Sequence, residues 1–324
     1  MKKVRVIGGS GFIGSNLIGR LNNKFNVANI DKGPSKDNAA ITSFADVRDK
    51  NKLDEVIQPS DWIVLLAAEH RDDVTPIKLY YDVNVEGTQN VLDIMNNKNI
   101  KKILFTSSVA VYGLNKKNPD ETFDIDPFND YGKSKWQAEE VLRKWYNEDP
   151  SSRTLVILRP TVVFGPRNRG NVYNLLKQIA TGKFLRIGSG ENKKSMAYVD
   201  NITAFMEYCL TNDLSGYHLY NYVDKPDLTT NELLQTVEEF MQKKLPPMRI
   251  PYAVGYAGGL AFDIASKITG KKFSISAVRV KKFCATTEFS SVKIQSTGFK
   301  QPYALKDGIK KTIDSIQKNE PANL

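Results

Sequence analysis

Three glycines spaced three apart, Gly8, Gly11 and Gly14, follow directly on the apolar run at residues 4–7 and open a helical pattern at 13–21. This array constrains the fold more than any other feature. A turn with so little side chain lets the chain reverse sharply, lets its backbone approach a diphosphate, and lets the following helix pack close to the strand before it. The helix then begins where a negative charge is best held, at its N-terminus.

The same strand–turn–helix rhythm continues. Residues 25–30 read as a second strand ending at Asp31, and WIVLLA at 62–67 is a continuous apolar run suited to a parallel strand covered on both faces. A helix at 84–95, a strand at 102–107, a helix at 134–146 and a strand at 154–158 follow. This alternation selects an α/β fold, a Rossmann-type doubly wound parallel sheet. After Pro160 the rhythm breaks. Glycines at 165, 170, 182, 188 and 190 punctuate loops, with helices expected at 172–181 and 200–210, a strand at 216–222, and a helix capped by Thr229 or Thr230. The expected division is a dinucleotide-binding domain at 1–165, with 195–225 contributing to it, and a smaller C-terminal substrate-binding lobe from 166–194 and 226–324.

Composition narrows the class. With 324 residues and 41% hydrophobic content the chain can bury a core without staples, and its two cysteines, Cys209 and Cys284, match no disulfide, redox or metal spacing. A reducing, cytoplasmic setting is expected, and no metal site. The formal charge of +10 suits a phosphate-bearing substrate, while the scattered lysines form no aromatic-interleaved patch that would indicate nucleic acid. No window is apolar enough to span a membrane. The nearest, PYAVGYAGGLAFDIASKI at 251–268, contains a proline, three glycines and Asp263, and reads either as a buried helix or as one resting on a membrane surface. Residues 318–324 read as a frayed tail.

Individual residues then take expected roles. Asp31, seventeen residues beyond Gly14, can accept hydrogen bonds from ribose hydroxyls and repel a 2′-phosphate, which favours NAD; the adjacent Lys32 keeps NADP possible. Asp46 and Val47 are placed at the adenine, and the small strand end Leu66-Ala67-Ala68 beside the dinucleotide. Phe12 and Ile13, inside the glycine turn, and Pro160, at a strand end, complete the expected cofactor contacts. Tyr131 and Lys135 stand at i and i+4, so on a helix they share a face. The lysine's charge lowers the phenol pKa and its ammonium can hold a nicotinamide ribose, so the phenol can exchange a proton with an alcohol or ketone. Ser107 and Ser108, at a strand end, can orient the substrate oxygen.

These landmarks occur in one order: GGSGFIG (8–14), Asp31, LAA (66–68), YYDVNVEGT (80–88), TSSVAVYG (106–113), YGKSK (131–135), RPTVVFGPRN (159–168) and YVDN (198–201). The whole chain thereby resembles the extended short-chain dehydrogenase/reductase superfamily, and within it the UDP-glucose 4-epimerase-like sugar-nucleotide epimerases and dehydratases. The resemblance implies that Tyr131 is the acid/base with Lys135 its partner, that Ser108 binds substrate and Ser107 lies next to the nicotinamide, and that Asn84 lies near the cofactor. It further implies that Asn171, Lys194 and Arg279 hold a pyrophosphate, and that the protein is a homodimer packing through helices that include the one carrying Lys135.

The chain also departs from that pattern. Lys194 stands where an arginine is usual, losing the planar fork. No amide follows Arg159, where the stretch reads Pro160-Thr161-Val162. A charged loop, Glu69-His70-Arg71-Asp72-Asp73, follows the WIVLLA strand, and His70 there is a candidate to assist proton transfer or bind the sugar. Ser108 is followed by Val109 and Ala110, with no acid to protonate a departing hydroxyl, so dehydration is not expected. The expected function is NAD-dependent epimerization at C4 of a UDP-hexose or UDP-N-acetylhexosamine through a 4-keto intermediate. A one-way NAD(P)H-dependent 4-ketoreductase of a deoxy sugar nucleotide uses the same residues. A sterol-type hydroxy dehydrogenase and a non-catalytic NAD(P) sensor are the more distant readings.

Overall fold

A computed structural model describes residues 1–71, 74–168, 170–182, 184–270 and 276–319; Asp72, Asp73, Arg169 and the end of the expected tail lie outside the described residues. The chain begins β1 (Lys3–Ile7), α1 (Phe12–Leu21), β2 (Asn26–Asp31), β3 (Thr42–Phe44), α2 (Lys50–Val56) and β4 (Trp62–Leu65). It continues through α3 (Lys78–Tyr81), a π-helical turn at Asp82–Glu86, α4 (Gly87–Asn97), β5 (Lys102–Thr106), α5 (Asp130–Glu148) and β6 (Thr154–Pro160). Then come β7 (Val162–Phe164), α6 (Asn171–Ala180), β8 (Arg186–Ile187), β9 (Lys193–Tyr198), α7 (Val199–Thr211) and β10 (Tyr217–Tyr222). The described part closes with β11 (Asp224–Thr229), α8 (Thr230–Met241), β12 (Arg249–Ile250), α9 (Tyr252–Thr269), α10 (Ala277–Cys284), α11 (Val292–Gln295) and α12 (Leu305–Asn319).

Seven strands form one parallel sheet in the order β10-β6-β5-β4-β1-β2-β3. The order reverses beside β1: β2 and β3 are added on one side, β4 and its successors on the other. A crevice therefore opens at the carboxyl ends of β1 and β4, where doubly wound sheets bind ligands. Strand burial follows the continuous apolar runs, with every residue of β4 and β6 buried. One face packs Leu53, Val91, Leu92, Ile94 and Leu142 from α2, α4 and α5 against the sheet. The other packs Leu17, Ile18 and Leu21 of α1 and Ile202, Phe205 and Met206 of α7. Each such side chain, moved fully out of water, contributes on the order of 1.5–3 kcal/mol.

The chain beyond β6 is divided between this sheet and a lobe. α7 lies against α1 and β10 is the edge strand of the large sheet, whereas β11, β9 and β7 make a small mixed sheet and β12 pairs with β8. A separate apolar cluster joins α6, α8 and α12 through Leu176, Ile179, Leu233, Val237, Ile309 and Ile313. The helix starting at Thr230 has a full capping box, the Thr229 hydroxyl accepting from Glu232 N and the Glu232 carboxylate from Thr229 N.

Two helices begin earlier than their apolar periodicity suggests. α5 starts at Asp130 rather than 134, because Asn129 caps it by accepting from Gly132 N at 2.9 Å. Helical structure before α4 starts at Lys78, and its π turn inserts an extra residue ahead of Gly87. Gly87 is required there, since a Cβ would meet Val47 at 2.6 Å.

A buried polar network fixes α5 to the sheet. The Glu139 carboxylate accepts from Arg159 Nε at 2.8 Å and Nη2 at 2.6 Å, from Arg143 one turn on, and from the Ser107 hydroxyl at 2.5 Å. Arg159 Nη1 donates to the Tyr112 hydroxyl at 2.7 Å, which donates to Asn221 Oδ1 at 2.8 Å. Burial alone would push Glu139 up and Arg159 down; the forked hydrogen bonds and mutual attraction outweigh it, and each group shifts toward its charged form. Glu139→Ala leaves Arg159 buried without its counter-charge, and should destabilise the protein by about 3–5 kcal/mol. Urea unfolding of the two proteins measures the difference; a loss below about 1 kcal/mol would contradict the network's role.

Candidate active site

The glycine turn is shaped by its neighbours. Gly8 has φ +88°, and a Cβ on it would lie 2.4 Å from Ala67 N; a Cβ on Gly14 would lie 2.5 Å from Gly9 Cα. Ile7 O accepts from both Leu66 N and Ala67 N, so the ends of β1 and β4 are pinned side by side beneath the turn. Gly11 caps α1 with no side-chain hydrogen bond, and no acid stands in the first turn, leaving the helix N-terminus to an external anion. Phe12 and Ile13, half-buried, lead into that helix.

Asp31 closes β2 and holds this turn in place: its carboxylate accepts from Ser10 N and Gly33 N, both at 2.9 Å. An ionised carboxylate has about four acceptor positions, so two remain for ribose hydroxyls. Buried Asn29 assists, its amide donating to the Ser10 and Thr42 hydroxyls. Neither Ser10 nor Asn29 stands out in sequence; both act only because β2 lies beside β1. Lys32 is exposed next to Asp31. The Asp46 carboxylate is taken by Arg48, which donates from its backbone N, Nε and Nη2 and holds the acid below its usual range. An amine of an adenine therefore competes there with an ion pair. Val47 is buried beneath Gly87, Ala68 is half-buried after β4, and Pro160 is buried at the end of β6.

Tyr131 and Lys135 lie on the first turns of α5, with Ser108 after β5. The Lys135 ammonium is 1% exposed and 4.0 Å from the Phe105 ring centroid, with no hydrogen-bond acceptor among the described residues. Burial lowers it to about 7, with Glu139 opposing. A buried ammonium without acceptors among the described residues, in a chain whose turn has no room for a Cβ at Gly8 or Gly14, fits a dinucleotide whose ribose hydroxyls supply them. The Ser108 oxygen accepts from Ala110 N at 3.1 Å, so its proton remains available to a substrate oxygen.

Two expected cofactor neighbours have other duties. The Ser107 hydroxyl donates to Glu139, so this residue anchors α5 to the end of β5. Asn84 is 1% exposed and bridges the loop after β4 to α5: Glu69 N donates to its Oδ1, and its Nδ2 donates to Glu69 O and the Ser134 hydroxyl. Both donor protons are used, which makes Asn84 a positioning residue. Tyr81 and Asp130 went unnoticed in sequence, yet the Tyr81 hydroxyl donates to Asp130 at 2.9 Å, one residue before Tyr131. Their spacing of 49 positions carries no local signal.

On the substrate side, Asn171 is exposed at the first position of α6, a helix start with no side-chain cap and no first-turn acid. Arg279 is exposed in the first turn of α10. Lys194 is turned to another purpose: its ammonium donates to Lys282 O at 2.8 Å and to Ala285 O, capping the end of α10, and burial lowers it to about 8. One N–H remains for a ligand. His70 is exposed, while the Glu69 carboxylate beneath it accepts from His70 N and Arg71 Nε at 3.2 Å. Cys284 is half-buried against Ile187 O, and burial raises its thiol pKa, so it has no nucleophile's activation. Among the described residues no His, Cys, Asp and Glu cluster is arranged to hold a metal ion.

Residues 4–222 match the model of the NAD dependent epimerase/dehydratase family. The N-acetyl-α-D-glucosaminyl-diphospho-ditrans,octacis-undecaprenol 4-epimerase of Escherichia coli O157:H7 is 59% identical over 96% of this chain and 94% of its own. The UDP-glucose 4-epimerase of Vibrio cholerae is 27% identical over 97% and 95%. The crystal structure of the Thermus thermophilus UDP-glucose 4-epimerase complex with NAD superposes with a TM-score of 0.74, covering 97% of this chain and 99% of that one at 21% identity, a likeness of fold.

With ribose oxygens beside it, the Lys135 ammonium would be favoured, so the lysine would bind its proton more tightly in an NAD complex than in the free protein. NAD affinity should therefore be greatest below about pH 7, the free value, and fall above it by up to about tenfold per pH unit until the bound group also titrates. Titrating NAD into the cofactor-stripped protein between mildly acidic and alkaline pH measures this. Lys135→Met should flatten the profile; an unchanged profile would assign the titration elsewhere.

Proposed function

Since the chain belongs to the NAD dependent epimerase/dehydratase family, we propose that it is a 4-epimerase of an N-acetylhexosamine carried on a polyprenyl diphosphate. The observation that carries this reading is the 59% identity, spanning nearly the full length of both chains, to the Escherichia coli enzyme of that activity. The C4 chemistry is that expected from sequence; the carrier is a lipid rather than a nucleoside. Asn171, at the open N-terminus of α6, suits the diphosphate that both kinds of carrier share.

Bound in the glycine cradle, NAD supplies the reversible acceptance of hydride that an inversion at C4 requires. Gly8, Gly11 and Gly14 admit its diphosphate, Asp31 receives ribose hydroxyls, and Lys135 holds the second ribose. Tyr131 removes the proton of the C4 hydroxyl and later returns one, with the nearby ammonium easing the loss of the phenolic proton. Ser108 donates to the C4 oxygen and keeps it in line with Tyr131. The sugar must present both faces of C4 in turn, so the site needs firm hold of the diphosphate and loose hold of the ring. Arg279 and the remaining N–H of Lys194 extend the anion contacts, and His70 reaches the sugar from the loop after β4. The protein works in the cytoplasm as a homodimer packed through helices that include α5.

Purified protein incubated with prenyl-diphosphate-linked N-acetylglucosamine, and separately with UDP-N-acetylglucosamine, tests the reading, the released sugars being resolved by chromatography. The expected result is the C4 epimer from the prenyl-linked substrate, with turnover lowered about 10²–10⁴-fold in Tyr131→Phe. Conversion of the UDP-sugar alone would overturn the lipid carrier.

A further inference from the structure

Charge is unevenly spread along this chain. Residues 241–284 contain nine lysines and arginines and a single acid, Asp263, so this stretch holds +8 of the formal +10. It includes α9, and α9 is not the buried helix that one reading of its sequence suggested: among its eighteen residues only Gly259 is buried.

The two sides of α9 are fixed differently. Gly255 packs on Ile187, where a Cβ would approach to 2.6 Å, and Gly259 packs on the start of α10, where a Cβ would come within 2.6 Å of Ala277 N. Asp263 accepts from Ala277 N at 3.0 Å, capping α10 from the same side. These contacts hold the glycine side against the protein. The opposite side carries Val254, Ala257, Leu260, Ala261, Ile264 and Ile268, an apolar stripe at helical spacing, all of it exposed. Ile264 is 59% and Ile268 79% exposed. Lys243, Lys244 and Arg249 precede the helix, Lys267 ends it, and Lys281 and Lys282 follow on α10, every one exposed.

We propose that the outer face of α9, with these basic residues around it, docks the protein onto an anionic phospholipid bilayer. Charge complementarity selects this occupant. A second copy meeting the same face would bring two strongly basic segments together, whereas an anionic surface attracts them and receives the apolar stripe. The helix lies on the bilayer: no helix among the described residues is long and apolar enough to cross one. The docked element is also tied to the substrate lobe. Ile187 contacts α9 and accepts from Cys284, while Lys194 caps α10. The inference deepens the proposed function, on which it rests for its purpose, because a polyprenyl diphosphate is itself held in a membrane.

Co-sedimentation of the full-length protein with vesicles tests the surface without any sugar substrate. Wild type should pellet with phosphatidylcholine–phosphatidylglycerol vesicles, less with phosphatidylcholine alone, and less as salt is raised. The double variant Ile264→Asp/Ile268→Asp should bind at least about tenfold more weakly, and Lys281→Glu/Lys282→Glu should lose its preference for the anionic lipid. Both should keep wild-type epimerization of a water-soluble, short-prenyl diphosphate-linked N-acetylglucosamine. Wild type that fails to pellet, or variants that pellet as well as wild type, would overturn the proposal. So would a wild-type dimer, seen by size exclusion, that the isoleucine variant dissociates while vesicle binding is absent from both. If neither wild type nor variant epimerizes any diphosphate-linked sugar while the vesicle result holds, the activity reading fails and the docking surface stands.

Discussion

The Glu139–Arg159 pair determines where α5 sits on the sheet. α5 carries Tyr131 and Lys135 on its first turns and Glu139 one turn beyond, so whatever fixes Glu139 also fixes these two side chains. Arg159 reaches Glu139 from β6, Ser107 from the end of β5, and Tyr112 links the pair to Asn221 on β10. Three neighbouring strands thus hold one helix through hydrogen bonds whose directions admit little displacement. At the other side of the same helix, Asn84 joins Ser134 to the loop after β4. Lys135 lies between these two clamps, buried and without a hydrogen-bond acceptor among the described residues.

The cofactor cradle rests on a different physical principle, exclusion of side chains. Gly8 can have no Cβ because the backbone of Ala67 occupies the space, and Gly14 can have none because Gly9 does. Asp31 and Asn29 then fix the turn by holding Ser10. An acid at the end of the second strand is usually considered only for what it offers a ribose. Here it first organises the glycine turn, and its carboxylate keeps acceptor positions for a ribose.

The lobe joins a polar site to an apolar exterior. Its interior is closed by α6, α8 and α12, while α9 packs through glycines and leaves its larger apolar side chains outside. Lys194, in a position where a ligand-binding cation is expected, is mainly spent on fastening α10. The result is a lobe whose basic, apolar outer face is tied through β8 and α10 to Lys194. A substrate with its reacting sugar in water and its tail in lipid suits such a lobe.

Much of this was legible in the residues alone. The alternation of apolar runs, the glycine array and the order of the TSS, YGKSK and RP motifs determined the doubly wound sheet and the family, and singled out Tyr131, Lys135 and Ser108 as candidates, because each depends on local spacing and on strand ends. The clustering of +8 in residues 241–284 is also a property of the sequence, visible by counting along the chain although the lysines look scattered by eye. What only the tertiary structure decided is how each polar group is used. Ser107 turns to Glu139, Asn84 to Glu69 and Ser134, Asp46 to Arg48, and Lys194 to the carbonyls of α10. Apart from the Asp46–Arg48 pair, their partners are 15 to 91 positions away in sequence. A hydrogen bond is satisfied by whatever the fold brings within about 3 Å, and sequence distance does not enter that selection. The direction of α9 was settled in the same way: its apolar residues are compatible with a core or with a surface, and the close approach of Gly255 and Gly259 to their neighbours turned the larger side chains outward.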